Sequence, residues 1–162
     1  MGIVARFRRL TWRERGVLCA ALVLLPAVAA GLRLVGLRRV QSVLGLAGPA
    51  VNREALGPGC GTGVQGTARM VAAAAHYGLY RASCLPRSLV LQWLLHRQGI
   101  VSALRIGART AGGRLEAHAW VEHHGHPLID AADVQDRFPA FEGHTYDVAP
   151  LASRPKSARR AG

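Results

Sequence analysis

Apolar positions are most concentrated near the start of the chain, where the run from Gly16 to Leu32, GVLCAALVLLPAVAAGL, holds no charged residue. Thr11, with Glu14 three positions on, supplies a capping-box start for a helix through this run. Its length reaches the lower edge of a membrane span. Pro26 falls inside it, and the next stretch, Arg33 to Leu44, interleaves Arg with Leu and Val as an interfacial or packed amphipathic helix does. The expectation is a helical hairpin or a helix kinked at Pro26.

The pattern then changes. Gly48 to Gly66 contains six Gly and two Pro in nineteen residues, which is loop or linker chemistry. Beyond it, Thr67 is positioned to cap a helix through Tyr77, with Gly78 at its end. Ser83 or Cys84 caps a second helix to Gln98, with Pro86 in its first turn and Gly99 just past its end. Leu85, Leu89, Val90, Trp93 and Leu94 make one apolar face, which Leu91 and Leu95 widen until little of the helix is polar, so it is expected to be buried. Period-two alternation follows: Ile100 to Ile106 reads as a strand, Ala111 to Gly113 as a turn, and Leu115 to Glu122 as a strand with Glu116, His118, Trp120 and Glu122 on one face. HHGH at 123–126 reads as a turn, Pro127 to Asp130 as the start of a third strand, and Phe138 to Tyr146 as a final short element. Helices followed by a small antiparallel sheet make an α+β fold. The segments are then 1–47 (apolar, basic, helical), 48–66 (linker), 67–150 (core) and 151–162 (a disordered basic tail).

At 162 residues the chain has room for one domain with a self-sufficient core, and its hydrophobic half with a mean hydropathy of +0.15 excludes a disordered polar chain. The net charge of +12 is unevenly spread, because seven of the nine acids lie between residues 116 and 150. Nucleic acid is not the expected partner: the basic residues are twenty Arg and one Lys, without an interleaved aromatic stripe or a recognition motif. Three cysteines, Cys19, Cys60 and Cys84, make neither a disulfide framework nor a CxxC zinc pair, which fits a reducing compartment. No metal or cofactor is expected. His123, His124 and His126 lack Cys or acid at ligand spacing and read as a solvated turn.

Cys84 stands at a helix N-terminus, where free backbone N–H groups and the helix dipole favour a thiolate and can hold a tetrahedral oxyanion. On its own it reads equally as a small buried hydrophobe. His118 and Asp130 change the balance. Across a hairpin turning at HHGH, a register whose paired positions sum to 248 sets His118 opposite Asp130, and a sum of 249 moves Asp130 by one. Either way the carboxylate can orient the imidazole toward a thiol, as a Cys–His pair requires. Asp133 and Asp136 read as exposed loop acids, and Cys19 and Cys60, with no base nearby in sequence, as structural.

The segments CLPRSLVLQWLLHRQGI, LRIG and AHAWVE, followed by a hairpin ending in Asp, resemble the lasso-peptide leader peptidase, the stand-alone protease half of the lasso-peptide maturation protein, in the transglutaminase-like superfamily. The similarity covers about residues 67 to 140 and extends to the basic, apolar N-terminal helices. It implies a papain-like, transglutaminase-like core with Cys84 as nucleophile, His118 as general base and acid, and Asp130 as orienter. It also implies a function, removal of the leader from a ribosomally made lasso-peptide precursor before an ATP-dependent, asparagine-synthetase-like cyclase closes the macrolactam. Fused relatives carry a small leader-binding domain that the N-terminus here does not resemble, so a separate leader-binding protein is an implied partner. The second oxyanion donor stays unassigned. Two other readings remain, a transglutaminase-like or other thiol acyltransferase, since the same residues support transfer to an amine, and a non-enzymatic membrane-associated scaffold.

The ATP-dependent partner places the expected activity in the cytoplasm. The N-terminal run is compatible with helices packed on the domain or the membrane surface, with a span, or with a signal peptide whose A-x-A site is Ala27 to Ala29. Glu14 in a long n-region and apolar character continuing to Leu46 oppose a signal peptide. Contact of residues 12–46 with the cytoplasmic membrane surface or with a partner, rather than export, is the resulting expectation.

Overall fold

A computed structural model describes residues 10–46, 61–78 and 82–139. Helix α1 spans Trp12–Leu34, α2 Leu37–Val43, α3 Gly61–Tyr77 and α4 Cys84–Arg97. Strands β1 (Ala103–Ala111), β2 (Arg114–His123) and β3 (His126–Pro127) follow, then a short helix α5 (Val134–Arg137). The result is an α+β fold with an apolar N-terminal helix.

The expected capping box is present: Glu14 N–H donates to Thr11 Oγ1 at 3.3 Å, and Thr11 N–H donates to the Glu14 carboxylate at 2.9 Å. The Thr11 backbone N–H first, and then the Thr11 hydroxyl, which donates to the same carboxylate at 3.0 Å, hold the Glu14 carboxyl below its ordinary pKa. Pro26 does not break the helix. Pro26 and Leu22, whose carbonyl loses its amide partner to the proline, are both exposed residues, while Leu25, Val28 and Ala29 keep the neighbouring turns buried. The break comes at Gly36, whose φ of 79° a side chain would resist.

Helix α3 also departs from expectation, starting at Gly61 rather than at a Thr67 cap. Val64 is 5% exposed in the core, and that burial outweighs the helix-weakening glycines. Thr67 instead sits inside the helix, in reciprocal side-chain contact with Gln98 at the end of α4. Helix α4 is buried as its sequence implied, and it ends where Gly99 takes a φ of 74° and Ile100 N–H returns to the Leu95 carbonyl at 2.9 Å.

Ala21, Leu25 and Val28 of α1, Val71 and Ala74 of α3, and Leu89, Leu91 and Leu95 of α4 share one core with Leu104, Ala119 and Val121 of the sheet. Each Leu or Val among them contributes about 1.5–3 kcal/mol by leaving water. The sheet is antiparallel in the order β1-β2-β3, and its first strand begins at Ala103 rather than Ile100. Its other face is covered by a second cluster of Trp120, Val134 and Phe138. The third strand is shorter than expected: paired residues end at Pro127, Leu128 N–H makes one last bond to the Val121 carbonyl at 3.0 Å, and the chain bends over residues 128–130. The final element expected near Phe138 to Tyr146 lies outside the described residues from position 140 on, as do Cys60 and residues 151–162.

Candidate active site

Cys84 is the first residue of α4, half-buried against the main core. Ser83 precedes it in extended conformation without a side-chain capping bond. Pro86 has no N–H, so the Cys84 and Leu85 amides are the donors that the helix start offers to a developing oxyanion.

His118 lies in the middle of β2 and Asp130 just past β3. The hairpin register sums to 249, with Glu122 paired to Pro127 and His123 to His126 across a turn at His124 and Gly125. Because the ladder ends at Pro127, Asp130 reaches His118 as a side chain from the bend instead of as a strand neighbour. The contact is short: His118 Nε2 lies 2.9 Å from Asp130 Oδ1. A carboxylate there holds the proton on Nε2 and leaves the Nδ1 lone pair as the basic site.

Arg87, one turn beyond Cys84, donates to the same Asp130 oxygen at 2.8 Å. Ser88 Oγ, a turn after Cys84 on the same helix face, donates to the carbonyl of Ala119, the neighbour of His118, at 2.9 Å. The opening turns of the cysteine helix are therefore fastened to the strand that carries the histidine and to the bend that carries the acid. No hydrogen bond joins Cys84 Sγ to the ring, so Arg87, Asp130 and His118 form the side-chain path from the first turn of the cysteine helix to the imidazole. All three side chains are at most one quarter exposed, and a charged pair is worth more there than at an open surface.

The far side of the imidazole is walled by aromatic rings. Phe138 lies 5.1 Å from it and Trp120 stacks at 6.2 Å with an interplanar angle of 15°. Arg109 lies over Phe138 at 4.7 Å. Gly107 makes this wall possible. It pairs with His118 across the ladder, and a Cβ there would come within 2.6 Å of the Phe138 carbonyl oxygen and 2.8 Å of that of Pro139. Behind the wall, Glu122 is 6% exposed yet accepts bonds from Trp120 Nε1 at 2.7 Å, Gln135 at 2.8 Å and Arg105 at 3.1 Å. That network fixes α5 over the sheet and Phe138 over His118.

Of the residues singled out in the sequence, the structure brings His118 and Asp130 together and heads the helix fastened to them with Cys84. It leaves Cys19, Asp133 and Asp136 exposed. His123 is engaged by its Nδ1 with the Val101 carbonyl at 2.6 Å. Among the described residues no group of His, Cys, Asp and Glu is arranged to hold a metal ion. Sequence reasoning missed Arg87, Ser88, Gly107 and Phe138. Only Arg87 carried a local signal, a cation one helical turn after the cysteine.

The sequence profile of the transglutaminase-like superfamily matches residues 21–141, a span that starts inside α1 and takes in Cys84, His118 and Asp130. Comparison with curated proteins and with solved structures returns no match.

Proposed function

The chain belongs to the transglutaminase-like superfamily, whose members are generally catalytic cysteine enzymes, and from that premise we propose that it is a cysteine peptidase that removes the leader from a lasso-peptide precursor. The observation that carries the chemistry is the Asp130 carboxylate gripping His118 Nε2 while Arg87 ties it to the cysteine helix. In the reaction, His118 Nδ1 takes the thiol proton as Cys84 Sγ attacks the scissile carbonyl, and the Cys84 amide donates to the oxyanion. The C–N bond breaks with the proton passing from His118 to the leaving amine, which frees the core peptide and leaves the leader as a thioester on Cys84. A water deprotonated by His118 then attacks the thioester, and the leader departs with a carboxylate.

The peptide specificity rests on the likeness of CLPRSL and AHAWVE to the leader peptidase, and the partners follow from it: a separate leader-binding protein that delivers the precursor, and an asparagine-synthetase-like cyclase that consumes the core in the cytoplasm. Tethering by the leader-binding protein raises the substrate's effective concentration at the thiol to the order of millimolar for a short flexible connection. The same thioester passed to an amine instead of water would make the chain an acyltransferase.

The test incubates precursor with the purified chain, with and without the leader-binding protein and a competing amine, and weighs the products. Leader acid and free-amine core, formed much faster with the partner, are the expected result. Leader amide as the main product would assign acyl transfer, and an intact precursor under all conditions would overturn the peptidase reading.

A further inference from the structure

Helix α1 is apolar on both sides, and among the described residues only one side packs into the core. At 100° per residue, Val17, Ala21, Leu24, Leu25, Val28 and Leu32 fall on one side and belong to the core. Trp12, Cys19, Val23, Ala27, Ala30 and Leu34 fall on the opposite side, and all six are exposed, with Trp12 at 86%, Val23 at 70% and Leu34 at 82%. No charged residue interrupts this outer stripe between Gly16 and Leu32. The ends are cationic, with exposed Arg13 at the start and exposed Arg33, Arg38 and Arg39 at the end, where α2 adds Val43 at 86% exposure. The acid in this region, Glu14, is occupied by the Thr11 cap.

We propose that the outer stripe of α1 is a docking face for an anionic lipid surface, on which the helix lies flat with its inner stripe still in the protein core. The helix is long and apolar enough to cross a bilayer by composition. Crossing would, however, withdraw Ala21 and Leu25, at 0% and 1% exposure, from the core they share with α3 and α4. Lying flat keeps that packing and removes the remaining apolar stripe from water. Charge complementarity selects the occupant: arginines bracketing an uncharged stripe match anionic headgroups on either side of an apolar seam, with a tryptophan at the depth where indoles concentrate. The inference does not depend on the peptidase reading.

Vesicle co-sedimentation of the full-length protein tests it, using phosphatidylcholine alone and phosphatidylcholine mixed with phosphatidylglycerol, with circular dichroism confirming each variant's fold. The wild-type chain should sediment with the anionic vesicles and far less with neutral ones. Replacing both Arg38→Gln and Arg39→Gln should weaken partitioning about 30-fold, and Val23→Glu, at an exposed position, should remove most of it. Equal binding to both vesicle types, or unchanged binding by both variants, would overturn the proposal. So would self-association abolished by Val23→Glu without vesicle binding, which would assign the stripe to a second copy. Membrane-embedded protein that resists alkaline extraction would overturn it in favour of a span.

Discussion

Substituting Gly107→Ala asks whether the wall behind His118 is built on a missing side chain. The new Cβ would lie 2.6 Å from the Phe138 carbonyl oxygen, 2.8 Å from that of Pro139 and 3.1 Å from the Phe138 carbonyl carbon, all backbone atoms. Ordinary carbon contacts begin near ~3.5 Å, so residues 138 and 139 must move outward. Overpacking of this kind costs about 1–3 kcal/mol, offset by ~0.4–1 kcal/mol because alanine narrows the unfolded ensemble. The net is a loss of roughly 1–2 kcal/mol, which in a chain of this length lowers Tm by about 2–8 °C. Phe138 rides on the displaced backbone, so its contact with His118 loosens and leader cleavage should fall about tenfold even where the protein is fully folded. Thermal unfolding by circular dichroism and a cleavage assay below Tm read the two effects separately. Gly16→Ala is the control, since no atom lies within 4 Å of its Cβ; it should lower neither stability nor cleavage. Wild-type stability and cleavage in Gly107→Ala would refute the reasoning.

Arg87→Met should cut kcat/KM by about 10–100-fold, with partial recovery in Arg87→Lys, because Asp130 then loses the cation that fastens it to the cysteine helix. In an Asp130→Asn background the same change should cost little more, and additive losses would contradict a shared role. Gly66→Ala, inside α3 with no atom within 4 Å of the added Cβ, should raise stability by about 0.5–1 kcal/mol, read as a Tm increase of ~1–4 °C. Iodoacetamide should alkylate Cys84 faster in the wild type than in His118→Ala, as peptide mapping will reveal; equal rates would mean that the imidazole does not activate the thiol.

What the sequence disclosed was local. The Thr11 and Glu14 box, the Gly99 stop and the Cys84 helix start depend on residues a few positions apart, and each stands where the pattern put it. The glycines before Thr67 misled because tertiary burial of Val64 outweighed local propensity, while the helix expected to turn or kink at Pro26 runs on to Leu34. The hairpin could be placed but its register could not be chosen, since sums of 248 and 249 satisfy the same alternation. The meeting of His118 and Asp130 survived that ambiguity because a side chain from a bend reaches farther than a ladder partner would. Gly107 and Phe138 were invisible, as their meaning depends on two segments about thirty positions apart touching over one ring.

The central claim is that Cys84 is the nucleophile, and leader release by Cys84→Ala tests it most directly. Wild type, Cys84→Ala and Cys19→Ala, each shown to be folded by circular dichroism, are incubated with precursor and leader-binding protein, and cleavage is followed by mass spectrometry. The account predicts that Cys19→Ala cleaves like the wild type, while Cys84→Ala releases neither leader nor core. Cleavage at the wild-type rate by folded Cys84→Ala would contradict it.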